Sequence, residues 1–171
     1  MTASETMVRM GELAVSSVPG DVLVSLGLGS CIGLALIDRK MGIAGLAHVV
    51  LPQSQGQEES NARKFADHAV PELVSELEAA GARRVRLEAV LVGGASMFAV
   101  SSSNLEVGQR NEAAVRDLLN SLRIPVRAAA TGGDRGRTIR VDVSTGTVTF
   151  REAGGHDTEL LGADHTMEVA A

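Results

Sequence analysis

Apolar residues in this chain fall into short alternating or continuous runs, separated by glycine-rich turns, and two stretches carry a helical period. From Val22 to Leu26 apolar and small residues alternate as in a half-buried strand. The turn Gly27-Leu28-Gly29-Ser30 leads into Cys31, and a second apolar run, Ile32 to Ile37, ends at the charged Asp38-Arg39-Lys40. A third run, Gly42 to Leu51, stops at Pro52. Short strands joined by tight turns read as an antiparallel or mixed meander. Asn61 to Ala80 spaces Phe65, Ala69, Leu73, Leu77 and Ala80 by three and four, a helical stripe that Pro71 would kink or divide. Val85 to Val92 reads as a strand with Gly93-Gly94-Ala95 as its exit. Asn111 to Leu122 is the second helix, with Val115, Leu118, Leu119 and Leu122 as its stripe and Asn111 or Gly108 as a cap. Val126 to Ala130 is a strand, and Thr138 to Val143 with Thr147 to Arg151 forms a hairpin about Ser144-Thr145-Gly146. After Ala153 the periodicity fades. The pattern predicts an α+β fold, a layered sandwich of mixed or antiparallel sheet with two main helices. One domain is expected over residues 1–152, with 153–171 as a mobile tail.

Composition narrows the function. The 171 residues suit one domain with a real core, and 44 % are apolar. Three Phe, no Tyr and no Trp leave the core to aliphatic side chains. Few rings and a net charge of −5 argue against a nucleic-acid partner. The longest uncharged stretch, Val22 to Ile37, is broken by glycine and serine and is shorter than the roughly 20 apolar residues of a bilayer span. Buried strands, with no membrane insertion, are expected instead. The N-terminus has no apolar signal core. A lone cysteine excludes an internal disulfide and a Cys-rich zinc site, and fits a reducing cytoplasm.

That cysteine, Cys31, is the first candidate for chemistry. A free cysteine is most often a small buried hydrophobe. This one follows a Gly-Leu-Gly-Ser turn whose small residues allow a sharp bend and a close ligand approach. The turn's N–H groups, around Gly29 and Ser30, are candidates to receive an oxyanion. His48, in Gly45-Leu46-Ala47-His48-Val49-Val50, lies on a nearby predicted strand. An unperturbed thiol, with a pKa of about 8.5, is only a few per cent thiolate at neutral pH, and an adjacent imidazole can take its proton. The same imidazolium can protonate a leaving amine, which an amide substrate requires. Spacing alone leaves His48 open to a second role, a hydrogen-bonded core histidine.

Other features carry less. The loop Thr131-Gly132-Gly133-Asp134-Arg135-Gly136-Arg137 lacks the Gly-Lys-Ser/Thr ending of a P-loop and reads as a strand connection. His156, Asp157, Asp164 and His165 match no metal spacing, and no metal is expected. Met97 and Phe98 are core residues or, if exposed, an apolar anchor for a partner.

The segments Leu26-Gly27-Leu28-Gly29-Ser30-Cys31-Ile32-Gly33 and Gly45-Leu46-Ala47-His48-Val49-Val50-Leu51-Pro52 closely resemble the chemoreceptor glutamine deamidases of the CheD family. Phe65-Ala66-Asp67, Gly93-Gly94-Ala95 with Met97-Phe98, Val107-Gly108-Gln109-Arg110-Asn111 and the Gly132-Gly133 to Gly136-Arg137 loop recur in order. The resemblance spans roughly Val8 to Arg151. It implies a sandwich akin to bacterial toxin glutamine deamidases and a cytoplasmic enzyme without a cofactor. Its cysteine would attack selected glutamines on chemotaxis receptor helices, release ammonia and form a thioester that water hydrolyses. By this resemblance Cys31 is the nucleophile, His48 the base and acid, and Ser25 the orienting hydroxyl where the family usually has threonine. The resemblance also implies a second partner, a CheC-type phosphatase. The same thiol acting on receptor methyl esters, or a non-catalytic regulator of that phosphatase, are the competing readings.

Overall fold

The computed structural model describes residues 4–54, 61–96 and 102–163, and the side chains of these except 102–106. Two five-stranded sheets lie face to face, and two helices cover the outer face of one of them. The strands are β1 (Glu5–Met7), β2 (Leu13–Ser16), β3 (Val22–Leu28), β4 (Ile32–Asp38), β5 (Ile43–Val49), β6 (Glu88–Gly93), β7 (Val126–Thr131), β8 (Arg137–Asp142), β9 (Val148–Glu152) and β10 (Thr158–Leu161). Helix α1 spans Ala66–Ala79 and α2 spans Ser102–Ser121. One sheet runs β1-β3-β8-β9-β10, the other β2-β5-β4-β6-β7. Most pairings are antiparallel. The exceptions are β1 with β3, and β6 with β7 across the α2 crossover. This is the expected α+β sandwich with two main helices.

The central sheet is buried on both faces, which explains the nearly continuous apolar runs of β4, β5 and β6. In β4, Ile32, Leu34 and Leu36 face the helices, while Ala35 and Ile37 face the other sheet. In β5, Ala47 and Val49 face the helices, while Ala44 and Leu46 face inward. A Cβ on Gly45 would come within 2.8 Å of a Leu73 methyl, so the glycine lets α1 lie close on the sheet.

Some boundaries differ from the sequence pattern. Asn61 does not start the long helix. Its side chain accepts from the Arg63 N–H and caps a single turn, Ala62–Lys64, before α1 begins at Ala66. Pro71 stands inside α1 without dividing it. Burial of Val70, Leu73, Val74 and Leu77 against the sheet outweighs a proline cost of about 3 kcal/mol. Helix α2 begins nine residues before Asn111, which is an interior residue and no cap. Beyond Glu152 the chain adds β10 to the edge of β9, which the fading periodicity does not announce.

Candidate active site

Strand register brings the two leading candidates to one face. Gly33 of β4 lies opposite His48 of β5. Cys31, two positions before Gly33, falls on the same inward face, diagonal to His48. A Cβ on Gly33 would press on Leu28 and Ile139, so the glycine lets these side chains of the facing sheet pack close on β4. Ser25 projects from the facing sheet, where it pairs with Ile139 of β8. All three are buried: Cys31 is 8 % exposed, His48 2 % and Ser25 0 %.

The segment between β1 and β2 ties Ser25 to His48. The Val8 N–H donates to Val24 (2.7 Å), the Gly11 N–H to the His48 carbonyl (3.0 Å), and the His48 N–H to the Glu12 carbonyl (3.0 Å). The Val8 carbonyl oxygen lies 3.1 Å from His48 Nδ1 and accepts the Ser25 hydroxyl at 2.8 Å. His48 Nε2 is buried and has no hydrogen-bond partner among the described residues. Val8 carries no signal in the sequence, because its contribution is a main-chain oxygen.

The cysteine turn is tied down carbonyl by carbonyl. The Gly29 oxygen accepts from the Ala95 N–H (2.8 Å) and the Cys31 oxygen from the Gly94 N–H (2.9 Å). The Ser30 oxygen accepts from Asn111 Nδ2 (2.9 Å). Gly93 and Gly94 both have positive φ, and a side chain on Gly93 would overlap the Cys31 carbonyl. The buried Arg137 holds the Gly93 and Gly132 carbonyls from the far side, giving the Gly132–Arg137 loop a structural task.

Asn111 does more than hold the turn. The same Nδ2 also donates to the Val50 carbonyl at 2.9 Å, just beyond β5. One amide therefore bridges the chain on either side of the Cys31/His48 pair. Asn111→Ala leaves two inner carbonyls without that donor. We expect it to lower unfolding free energy by about 2–4 kcal/mol in urea denaturation, and a loss below about 0.5 would show that the bridge is dispensable.

Burial sets the resting charge of the pair. It pushes the Cys31 thiol up from its ordinary range, against a smaller opposing pull from its own main chain. Burial also pushes His48 below its ordinary 6.5, although the Val8 hydrogen bond and the Glu12 charge pull the other way. At neutral pH burial thus favours the neutral thiol of Cys31 and the neutral imidazole of His48.

His48 opens onto a groove of about 620 Å³ formed with Met7, Val8, Arg9, Met10, Glu12 and Leu26. Met10 and Leu26 are 66 % and 51 % exposed, large values for side chains of this kind. Met97 and Phe98, along with Asp164 and His165, lie outside the described residues. Asp157 pairs with Arg151. Among the described residues no group of three or more His, Cys, Asp or Glu could hold a metal ion. No helix there is long and apolar enough to cross a membrane.

The model of the family described as CheD chemotactic sensory transduction matches residues 50–152. A Moorella thermoacetica protein named probable chemoreceptor glutamine deamidase CheD is 47 % identical, covering 88 % of this chain and 92 % of its own. A Clostridium botulinum protein of the same name is 43 % identical, with 90 % and 96 % covered. Two solved structures align more distantly. Neisseria meningitidis protein NMB0706 has a TM-score of 0.44 at 12 % identity, over 78 % of this chain and 62 % of that one. Bacillus licheniformis hypothetical protein YfiH has 0.45 at 14 %, over 70 % and 49 %. A family model spanning more than half of the chain, with relatives matching along nearly all of it, establishes that the chain belongs to the CheD family.

Proposed function

We propose that this protein deamidates glutamine side chains of chemotaxis receptors in the cytoplasm, with Cys31 as nucleophile and His48 as base and acid. The observation that carries the reading is the free, buried Nε2 of His48 on the same face of the β4–β5 pair as Cys31. It occurs in a chain whose relatives are named probable chemoreceptor glutamine deamidases.

The steps follow from the atoms. As the Cys31 sulfur attacks the carboxamide carbon, its proton passes to His48 Nε2 and the carbonyl electrons move onto oxygen. Of the turn's N–H groups, that of Ser30 lies in the peptide plane fixed by the tied Gly29 carbonyl. The N–H groups of Gly29 and Ser30 are the proposed donors to the oxyanion. When the C–N bond breaks, Nε2–H gives its proton to the departing nitrogen and ammonia leaves. Water then attacks the thioester while Nε2 takes its proton, giving glutamate and restoring the thiol.

A receptor helix presents its glutamine on a ridge, and the open groove beside His48 suits such a ridge better than a free amino acid. A CheC-type phosphatase, the second partner we propose, would compete for this surface. The test is incubation of a receptor cytoplasmic fragment with the protein, followed by peptide mass mapping and an ammonia assay. The reading expects a one-dalton gain at particular glutamines, with one ammonia released for each. Methanol release from a methylated receptor without ammonia would replace deamidation by ester hydrolysis. Neither product, with intact phosphatase binding, would leave a regulator without chemistry.

A further inference from the structure

We infer that the main-chain carbonyl of Val8 is the group that orients His48, and that Ser25 is a positioning residue acting on this carbonyl, not on the imidazole. The inference rests on the proposed Cys31/His48 chemistry. Its core is one oxygen that faces two side chains, the Ser25 hydroxyl at 2.8 Å and His48 Nδ1 at 3.1 Å.

A carbonyl oxygen has two lone pairs and can only accept. Nδ1 must therefore carry the ring's proton in the neutral imidazole. That tautomer leaves the lone pair on Nε2, the buried atom without a partner. The Ser25 proton is committed to the same oxygen, so the serine does not donate to the ring. Its hydroxyl sets the direction of the carbonyl from the facing sheet. The main chain reinforces this: Val8 is pinned to Val24, next to Ser25, while Gly11 and Glu12 hold both main-chain groups of His48.

The arrangement also suits the charged stage of the reaction. When Nε2 gains the thiol proton, the Nδ1–H bond to Val8 becomes charge-assisted and strengthens. The stabilisation therefore appears as the imidazolium forms. A neutral carbonyl provides it without a permanent negative charge against Nδ1. The nearby carboxylate, Glu12, is engaged by the Arg9 N–H at 2.8 Å.

The two possible roles of Ser25 separate experimentally. Long-range proton–nitrogen correlation on ¹⁵N-labelled protein reads the His48 tautomer, and receptor deamidation is followed in the same samples. Wild type and Ser25→Ala are both expected to show the Nδ1–H tautomer at neutral pH. Deamidation by Ser25→Ala should fall about tenfold, because the carbonyl loses one anchor while the ring keeps its acceptor. Ser25→Thr, which retains the donor, should recover to within about twofold of wild type. An Nε2–H tautomer in wild type would overturn the inference even if the alanine variant failed to fold. So would a shift to Nε2–H in Ser25→Ala with activity as low as that of a His48 variant. The tautomer readout needs no turnover. An inactive wild type would therefore refute the proposed function while the role of Val8 was still decided.

Discussion

Cys31→Ala is expected to reduce receptor deamidation by about 10⁴-fold or more, to the uncatalysed background, while leaving the fold intact. Loss of the nucleophile removes the covalent route entirely, and no other cysteine exists to replace it. The structural effect should be small. Alanine retains the Cβ, and the turn is held by main-chain and Asn111 hydrogen bonds that do not involve sulfur. A change in unfolding free energy within about 1 kcal/mol is expected. Cys31→Ser should be similarly inactive, because a buried hydroxyl is a far poorer nucleophile than a thiol. Peptide mapping of the receptor fragment checks both, and conversion by the alanine variant at even a tenth of the wild-type rate would remove Cys31 from the mechanism.

His48→Asn isolates the second member of the pair. Asparagine can present a side-chain N–H close to where Nδ1 stands, keeping a donor for the Val8 carbonyl, but it has nothing at the place of Nε2. Deamidation should fall by about 10³-fold or more, since both proton transfers lose their carrier. The wild-type pH profile makes the same point. Because burial holds His48 below 6.5, the acid limb of kcat/KM should lie below 6.5, with the neutral imidazole as the active form. Stability follows the same sign. Below 6.5 the unfolded chain binds a proton that folded His48 refuses, so stability falls as pH drops from 6.5 to the folded value. His48→Asn should lose that segment of the slope in denaturation measured across acidic pH. An acid limb centred above 6.5 would contradict the assignment of a buried neutral base.

How much of this was legible in the sequence depends on where each signal resides. The strands around Cys31 and His48 are long and apolar and end at glycines or charges, so β3, β4 and β5 emerge within a few residues of their limits. The short strands β1, β2 and β10 span three or four residues each and leave no period to detect. That loss matters, because the segment between β1 and β2 carries Val8. A main-chain oxygen has no residue signature, and only the packing of the sheet that holds β3 on the sheet that holds β5 reveals its use. Asn111 was hidden differently. An asparagine at the edge of a periodic stripe reads as a cap, until α2 proves to extend nine residues further back. It then becomes a buried amide bridging Ser30 and Val50. Ser25 was visible as a hydroxyl on a strand, but its partner was not.

Acyl transfer to the Cys31 sulfur is the central step of the proposed reaction, and nucleophilic trapping measures it directly. Deamidation of the receptor fragment is run with increasing hydroxylamine, and the target peptides are examined by mass spectrometry. A thioester partitions between water and hydroxylamine, so γ-glutamyl hydroxamate should replace glutamate at the same positions, in proportion to hydroxylamine and only with Cys31 present. Glutamate as the sole product at every hydroxylamine concentration, with ammonia still released, would mean that water attacks the amide directly and would contradict the account.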